Sequence, residues 1–461
     1  MRLWQYITQV IKEKYKIRYS KKIRRVKLLA KLQLHAKGFR LKSKDYINIP
    51  YFLLLDEKDW EEFETIIADM DETTIRKMLS KVITIAAKYC SAPLAKRVHA
   101  LLKQDRIGSI SPYFQSNMRE YLEELSRYSP PIKHQEEFKK RLVFDLHTPL
   151  TRKEDILFIP YWGPGDEVLP AAALQFIERE MSTDDNNIHV LCDHRLHGLF
   201  SRSFRKIHFI KSHRKRYASF SDYARFRKLP TFDLHAIFCN DSYPAALRIR
   251  NWASIYMVPL QYLDAMHDWQ GGGFLQPDPE LVRTFRQHMN ARALKVGLCW
   301  RSTLLTHKRL GYWHVDDLHE ILNTQGIQFY IYQHGMSSHE RNIARRYGCM
   351  ELEELDLYND FEGLAASMAN LDLFIGPPTF NTWLAAAVGC PTIMLDSTLL
   401  RSPPFRNPQC FWNKAIRIFA VNSECRKEFV IHELAEELER SRLKNAPQLL
   451  QDDVASGKGE R

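Results

Sequence analysis

Apolar positions along this chain change their period part-way. From about residue 50 to 150 they recur at three- and four-residue intervals, as in "KDWEEFETIIADMDETTIRKMLSKVITIAAKYC", which predicts amphipathic helices. "SAPLAKRVHALLKQD" and "SPYFQSNMREYLEELSRY" continue the pattern behind Ser-Ala-Pro and Ser-Pro starts, with no repeated consensus of a helical-repeat array. "SPPIKH" reads as a linker. From Asp155 short apolar runs alternate with helical patterns: "ILFIP", "IHVLCD", "IHFI" and "DLHAIF", then "KVGLCW", "QFYIYQ", "LDLFI", "TIML" and "IRIFAV". Strands alternating with helices predict βα units and parallel sheets. "VLPAAALQFIERE" reads as one helix, and "GGGFLQPDPELVRTFRQHMN" as an interdomain hinge that turns helical. "SECRKEFVIHELAEELERSR" predicts a last helix packed on the body, and "DDVASGKGER" a disordered tail.

The predicted class is therefore α/β: two Rossmann-like domains facing across a cleft, preceded by an α-helical N-terminal extension. The expected divisions are an arm at 1–50, a helical domain at 51–150, Rossmann-like domains at 151–275 and 276–425, and a C-terminal helix and tail at 426–461.

Composition changes this picture little. With 45% hydrophobic and 26% charged residues the chain is globular, and 461 residues suffice for two to four domains. No apolar run reaches transmembrane length, and no apolar segment of a secretory signal follows the basic N-terminus. The eight cysteines are scattered, with no CxxC pair, and several sit in strand-like runs. They read as small buried hydrophobes of a reducing cytoplasm, not as a disulfide frame or zinc site.

Charge changes it more. Residues 1–50 hold 15 Lys and Arg against two acids, so of the net +12 the remaining residues carry −1. A neutral body argues against nucleic acid as its substrate. In the arm, Leu3, Trp4, Ile7, Val10 and Ile11 stand at helical spacing among cations, a pattern suited to an anionic membrane surface through residues 1–44. A solvated arm, or a helix docked on the body, is the plainer alternative.

Ligands of doubly wound sheets bind beyond the carboxyl ends of the strands. After "ILFIP" stand two glycines, then Asp166 and Glu167; after "VGLCW" come Arg301, Ser302 and, further on, Arg309. After "QFYIY" come Gln333, His334 and Gly335, and Asp356 follows in "ELDLYND". "FIGPPTFNTWLAAAVGCPTIML" puts Thr379, Asn381 and Thr382 at a helix start. Thr379 is a good N-cap and Gly389 with Pro391 an ordinary helix stop, so the bland reading is capping. The sharper reading is a phosphate site at the helix N-terminus. Cations, amides, hydroxyls and a helix start on one edge suit a nucleotide diphosphate. The only tight Asp-x-Asp, Asp69-Met70-Asp71, lies in the helical extension, so no metal site is expected.

"KVGLCWRS", "FYIYQHG", "NDFEGLAASMANLDLFIGPPTFNTWLAAAVGCPTIML", "GPGDEVLPAAA" and "CDHRLHGLFSRSF" together resemble GT-B glycosyltransferases. The likeness is nearest to glycosyltransferase family 9, the heptosyltransferase-like group, and extends to transferases linked to tetratricopeptide repeats, including flagellin glycosyltransferases. It spans most of Ile156–Val421; residues 1–150 have no counterpart. The resemblance implies that Arg301 and Arg309 face a diphosphate, that Gln333, His334 and Gly335 lie near the nucleotide, and that Thr379 to Thr382 hold phosphate. It matches the acidic residue of the first domain to Asp166, the expected general base, with Glu167 beside it. The chain departs from the pattern at "GPPTFN" and at His334. The expected activity is sugar transfer from a nucleotide sugar to a glycan, lipid-linked glycan or protein hydroxyl, inverting, without metal or cofactor, in the cytoplasm or on the inner membrane face. Nucleotide-sugar epimerisation, a non-catalytic sugar-nucleotide-binding scaffold at the membrane, and a nucleic-acid-binding arm are the other readings.

Overall fold

The computed structural model describes residues 155–440, with breaks at 161–162, 182–187, 216–230, 233–250, 256–257, 259–261, 290–292, 303–312, 397–412 and 421–426. The basic arm, the helical extension with Asp69 and Asp71, the run "DLHAIF", Arg309 and the tail lie outside the described residues.

Two parallel sheets form the body. Strands β1 (Ile156–Ile159), β2 (Ile188–Asp193), β3 (His208–Ser212) and β6 (Asn251–Ser254) make a four-stranded sheet in the order β3-β2-β1-β6. Between β3 and β6 in sequence, β4 (Arg214–Lys215) and β5 (Thr231–Phe232) form a separate antiparallel pair. The second sheet holds β7 (Leu294–Leu298), β8 (Ile327–Ile331), β9 (Met350–Glu351), β10 (Leu373–Gly376), β11 (Thr392–Asp396) and β12 (Ile416–Ala420). Its order, β12-β11-β10-β7-β8-β9, is that of a doubly wound dinucleotide-binding sheet, with the chain reversing direction of travel between β7 and β10. The four-stranded sheet is the first part of the same pattern, with its reversal between β1 and β6.

The strands are continuous apolar runs because both of their faces are covered. Val296, Leu298, Phe374 and Ile375 are wholly buried, and Trp300, Trp313, Leu318 and Leu434 pack into the second core. Each such side chain contributes about 1.5–3 kcal/mol on burial. Residues 427–440 are helical and turn Val430, Ile431, Leu434 and Leu438 into that core, the three- and four-residue spacing of an amphipathic face.

Two local expectations resolve differently. "VLPAAALQFIERE" is not one helix: α1 (Gly165–Ala171) and α2 (Leu174–Glu180) are separated at Ala172–Ala173. Between them the backbone stays right-handed but tightens, with Ala173 N donating to Pro170 O three residues back. The glycine-rich "hinge" is a strap bound to the second sheet. Asn413 accepts from Gly272 N and donates to Gly272 O, and the Phe274 and Leu275 amides both donate to Ala387 O. Gly271 has φ +83°, and a Cβ there would stand 2.5 Å from Ala415 N, so no other residue fits. No described helix is long and apolar enough to cross a membrane.

Candidate active site

At the point where the second sheet reverses, β7 runs into Cys299, Trp300, Arg301 and Ser302, and β8 into Gln333, His334 and Gly335. Gln333 is buried. Its Oε1 accepts from the amides of Trp300 (3.1 Å) and Arg301 (2.9 Å), and its Nε2 donates to His334 O (2.9 Å). These bonds clamp two adjacent strand ends together. Arg301 donates from Nε and Nη2 to the two oxygens of Glu340, both at 2.7 Å, and from Nη2 to Gly335 O at 2.7 Å. Glu340 also accepts from Trp300 Nε1 and from Ser337 N, closing a capping box on α7 (Ser338–Arg346). The Arg301 guanidinium, with these other donors, holds the Glu340 carboxyl far below its ordinary range, at about 2. Arg301 is thus oriented by a fork rather than swinging on an open surface.

Helix α9 (Phe380–Ala387) starts where β10 ends. Thr382, buried, donates to Pro377 O at 2.5 Å, and Asn381 Nδ2 donates to Tyr332 O at 2.7 Å. Both side chains fix the turn to the sheet. Thr379 occupies the N-cap in extended conformation, yet its hydroxyl makes no capping bond. It lies 3.8 Å from Cys299 Sγ, a buried thiol that desolvation pushes up to about 12. That sulfur is packing, not a nucleophile.

The edge of the first sheet meets this turn. A Cβ on Gly165 would stand 3.3 Å from Phe380 Cα and 3.4 Å from Trp383 Cδ1, so the starts of α1 and α9 touch. Asp166 and Glu167, adjacent in sequence, have different surroundings. Glu167 is completely buried, and its Oε2 accepts from Asp193 N at 2.8 Å, tying α1 to the end of β2. Its carboxylate is committed to the fold, while Asp166 is only part-buried.

Asp193 and Arg195, which the sequence reading left without roles, complete the junction. Asp193 is buried and takes a two-point fork from Arg195, 2.9 Å on each oxygen. Arg195 Nη1 donates to Tyr358 O at 2.7 Å, and its guanidinium lies 4.3 Å from the Phe361 ring centre and 5.2 Å from that of Tyr358. Phe361, the first residue of α8 (Phe361–Met368), packs its ring against that of Phe380, tilted by 33° with centres 4.2 Å apart. The signal was legible in principle: an aspartate ending an apolar strand is buried, and a buried carboxylate requires a partner. His334 rests 5.1 Å from the Tyr358 ring. Asp356 is exposed and closes its own turn, accepting from Asn359 Nδ2 and from the amides of Tyr358 and Asn359, donors that lower its pKa. A second fork, Arg202 to Glu362, joins α3 (His197–Ser203) to α8.

Among the described residues no group of three or more His, Cys, Asp and Glu could hold a metal ion. Of the expected site residues, Arg301, Ser302, Gln333, His334, Gly335, Thr379, Asn381 and Thr382 follow the carboxyl ends of β7, β8 and β10; Asp166 comes right after Gly165, which meets the start of α9, and Asp356 lies in the loop before α8.

No protein-family model matches the chain. It is 30% identical over 241 residues to protein FlbA of Caulobacter vibrioides, a match covering 50% of this chain and 38% of that protein's length. Among solved structures it is similar to the ADP-heptose lipopolysaccharide heptosyltransferase II of E. coli, at 12% identity and TM-score 0.38 over 65% of this chain and 99% of that one. It is also similar to the family 9 glycosyl transferase of Veillonella parvula, at 13% identity and TM-score 0.41 over 67% of this chain and 100% of that one.

Proposed function

We propose that the protein is a glycosyltransferase of the GT-B type that moves a sugar from a nucleotide-sugar donor to a hydroxyl acceptor, inverting the anomeric centre without a metal. The strand order of the second sheet carries this reading. Its reversal between β7 and β10 makes a crevice at the carboxyl ends, and β10 leads straight into a helix whose N-cap hydroxyl is not used for capping. A helix N-terminus, whose first-turn N–H groups have no partner within the helix, suits a diphosphate. Arg301, held by Glu340 beside it, supplies positive charge to the leaving group. The quoted motifs support sugar transfer over other nucleotide chemistry.

In this reading the donor lies on the second unit and the acceptor on the first. Asp166 takes the acceptor's proton as the hydroxyl oxygen attacks the anomeric carbon, and the nucleoside diphosphate departs toward α9 and Arg301. Glu167 braces the turn that bears Asp166. The basic arm, residues 1–44, would bring the enzyme to an anionic membrane carrying its acceptor.

One specific observation favours a second reading, a sugar-nucleotide-binding scaffold: Gln333, Arg301 and Glu167 direct their hydrogen bonds into the protein. Titration calorimetry with nucleoside diphosphates, followed by incubation of nucleotide sugars with envelope glycan and protein acceptors, separates the two. Binding together with acceptor-dependent release of nucleoside diphosphate is expected. Binding without release under any acceptor points to the scaffold, and absence of binding removes both readings.

A further inference from the structure

We infer that Arg195 is a positioning residue that holds the Asp166 turn against the start of α9, an inference that rests on the reading of this junction as a transferase site. The contacts form a closed ring. Asp166 precedes Glu167, whose carboxylate accepts from Asp193 N; the Asp193 side chain is forked by Arg195. Arg195 then crosses to the second unit through Tyr358 O and the rings of Tyr358 and Phe361. The Phe361 ring packs against that of Phe380, and Phe380 backs onto Gly165, the residue before Asp166.

Arg195 meets both units in one side chain. Its Nε and Nη2 face Asp193, its Nη1 faces the Tyr358 carbonyl, and its guanidinium carbon lies over the rings of Phe361 and Tyr358. Only a planar, forked cation satisfies these contacts at once; a lysine offers a point charge and neither fork nor plane. Asp193 is entirely buried, so loss of the fork leaves a carboxylate without its strongest donors beside the backbone that Glu167 grips. The Arg202–Glu362 fork also joins the units, but it runs through α3 and does not lead back to Glu167.

Trp383 reports on the ring, because its indole lies against Gly165. The full chain is labelled with fluorotryptophan, and the Trp383 resonance is assigned by its loss in Trp383→Phe. In ligand-free protein, Arg195→Lys should shift or split that resonance, whereas Arg202→Lys should leave it single and in place. Nucleoside diphosphate affinity should stay within about threefold, because α9 belongs to the second unit. Turnover should drop by about a hundredfold, the usual consequence of a misplacement near 1 Å. An unmoved Trp383 resonance in folded Arg195→Lys overturns the inference, and so does an equal change in Arg202→Lys, which would mark general loosening. Should Arg195→Lys not fold, Tyr358→Ala removes the stacking partner from an exposed loop and is read by the same resonance. If no nucleoside diphosphate moves any wild-type resonance, the transferase reading fails, while the ligand-free spectra still decide the part played by Arg195.

Discussion

The two sheet edges that meet at the candidate site are built from the same strand pattern and differ in how far their polar side chains reach. On the second edge the side chains turn inward. Gln333 joins β7 to β8, Asn381 and Thr382 pin the start of α9, and Glu340 fixes Arg301. What such an edge can present to a ligand is mainly backbone, already in place. On the first edge Glu167 and Asp193 turn inward too, but two cations reach across: Arg195 and Arg202 both end on residues of the second unit. One edge is a preformed cradle. The other has to be held to it, and charge-assisted hydrogen bonds from Arg195 and Arg202 hold it. Changes on the cradle should therefore act on stability or donor affinity, and changes on the first edge on turnover.

The largest expected effect tests the second half of that statement. Asp166→Asn keeps size and hydrogen bonding but cannot accept a proton. General-base catalysis contributes about 10² to 10⁴ in rate, so turnover should fall by that order with nucleoside diphosphate affinity unchanged. If Asp166 only complements the helix dipole, the cost is about 0.3–1 kcal/mol of stability with near-normal turnover. Steady-state turnover, a donor titration and a melting curve on one preparation distinguish the cases. Wild-type turnover in a folded variant would break the contrast between the edges.

A second test concerns the cradle and its acid limit. The Glu340 carboxyl is lowered from 4.5 to about 2, and its side chain is only 12% exposed. At about 1.4 kcal/mol per unit this is on the order of 3 kcal/mol. A depressed folded pKa gives stability that is present above the unfolded value and lost as pH falls through the folded one. Wild type should thus exceed Glu340→Gln in stability near neutral pH, and the gap should close between about pH 4.5 and pH 2. Urea unfolding of both proteins across that range measures it, and a gap independent of pH would show that the Arg301 fork adds no net stability.

How far this contrast could be read in the sequence depends on the distance over which each signal acts. Local punctuation was legible. Gly389 has φ +90° and follows the end of α9, as the Gly-x-Pro stop predicts, and the strands of the second sheet fall on the apolar runs named for them. The two-residue β9 was missed because Met350–Glu351 carries no run of its own; pairing with β8 makes it a strand. Likewise β6, "NWAS", becomes a strand beside β1. Side-chain commitments were illegible for a related reason. Arg301 and Glu340 stand 39 positions apart, and Glu167 and Asp193 26, so only topology brings them together. A strand-end cation or a helix-start acid looks open to ligand until its distant partner is known. The glycine strap was read as a hinge because its anchor, Asn413, lies 141 positions away.

That strap provides a smaller test of the cradle. Gly271→Ala must accommodate a positive φ and a Cβ 2.5 Å from Ala415 N, which costs about 1–3 kcal/mol. Chemical denaturation should register the loss, and donor affinity measured on the folded fraction should be normal. An affinity loss larger than the stability loss would mean that the strap shapes the site itself.

The smallest effect on stability separates the two readings of Thr379. A working N-cap threonine is worth ~1 kcal/mol because its oxygen accepts from the first turn of the helix. The Thr379 hydroxyl makes no such bond, so Thr379→Ala should cost only a few tenths of a kcal/mol on that scale. If the hydroxyl instead meets the donor's phosphate, its removal deletes one hydrogen bond to a charged group, worth about 1.5–3 kcal/mol, or roughly ten- to a hundredfold in affinity. Thr379→Ser keeps the hydroxyl and should behave as wild type in both measurements. Paired melting curves and nucleoside diphosphate titrations of the three proteins give the answer. A Thr379→Ala protein that melts early and binds normally would make the residue a cap after all. One that melts normally and binds weakly would assign the turn "GPPTFN" to the phosphate, and the cradle would then use a side chain as well as its backbone.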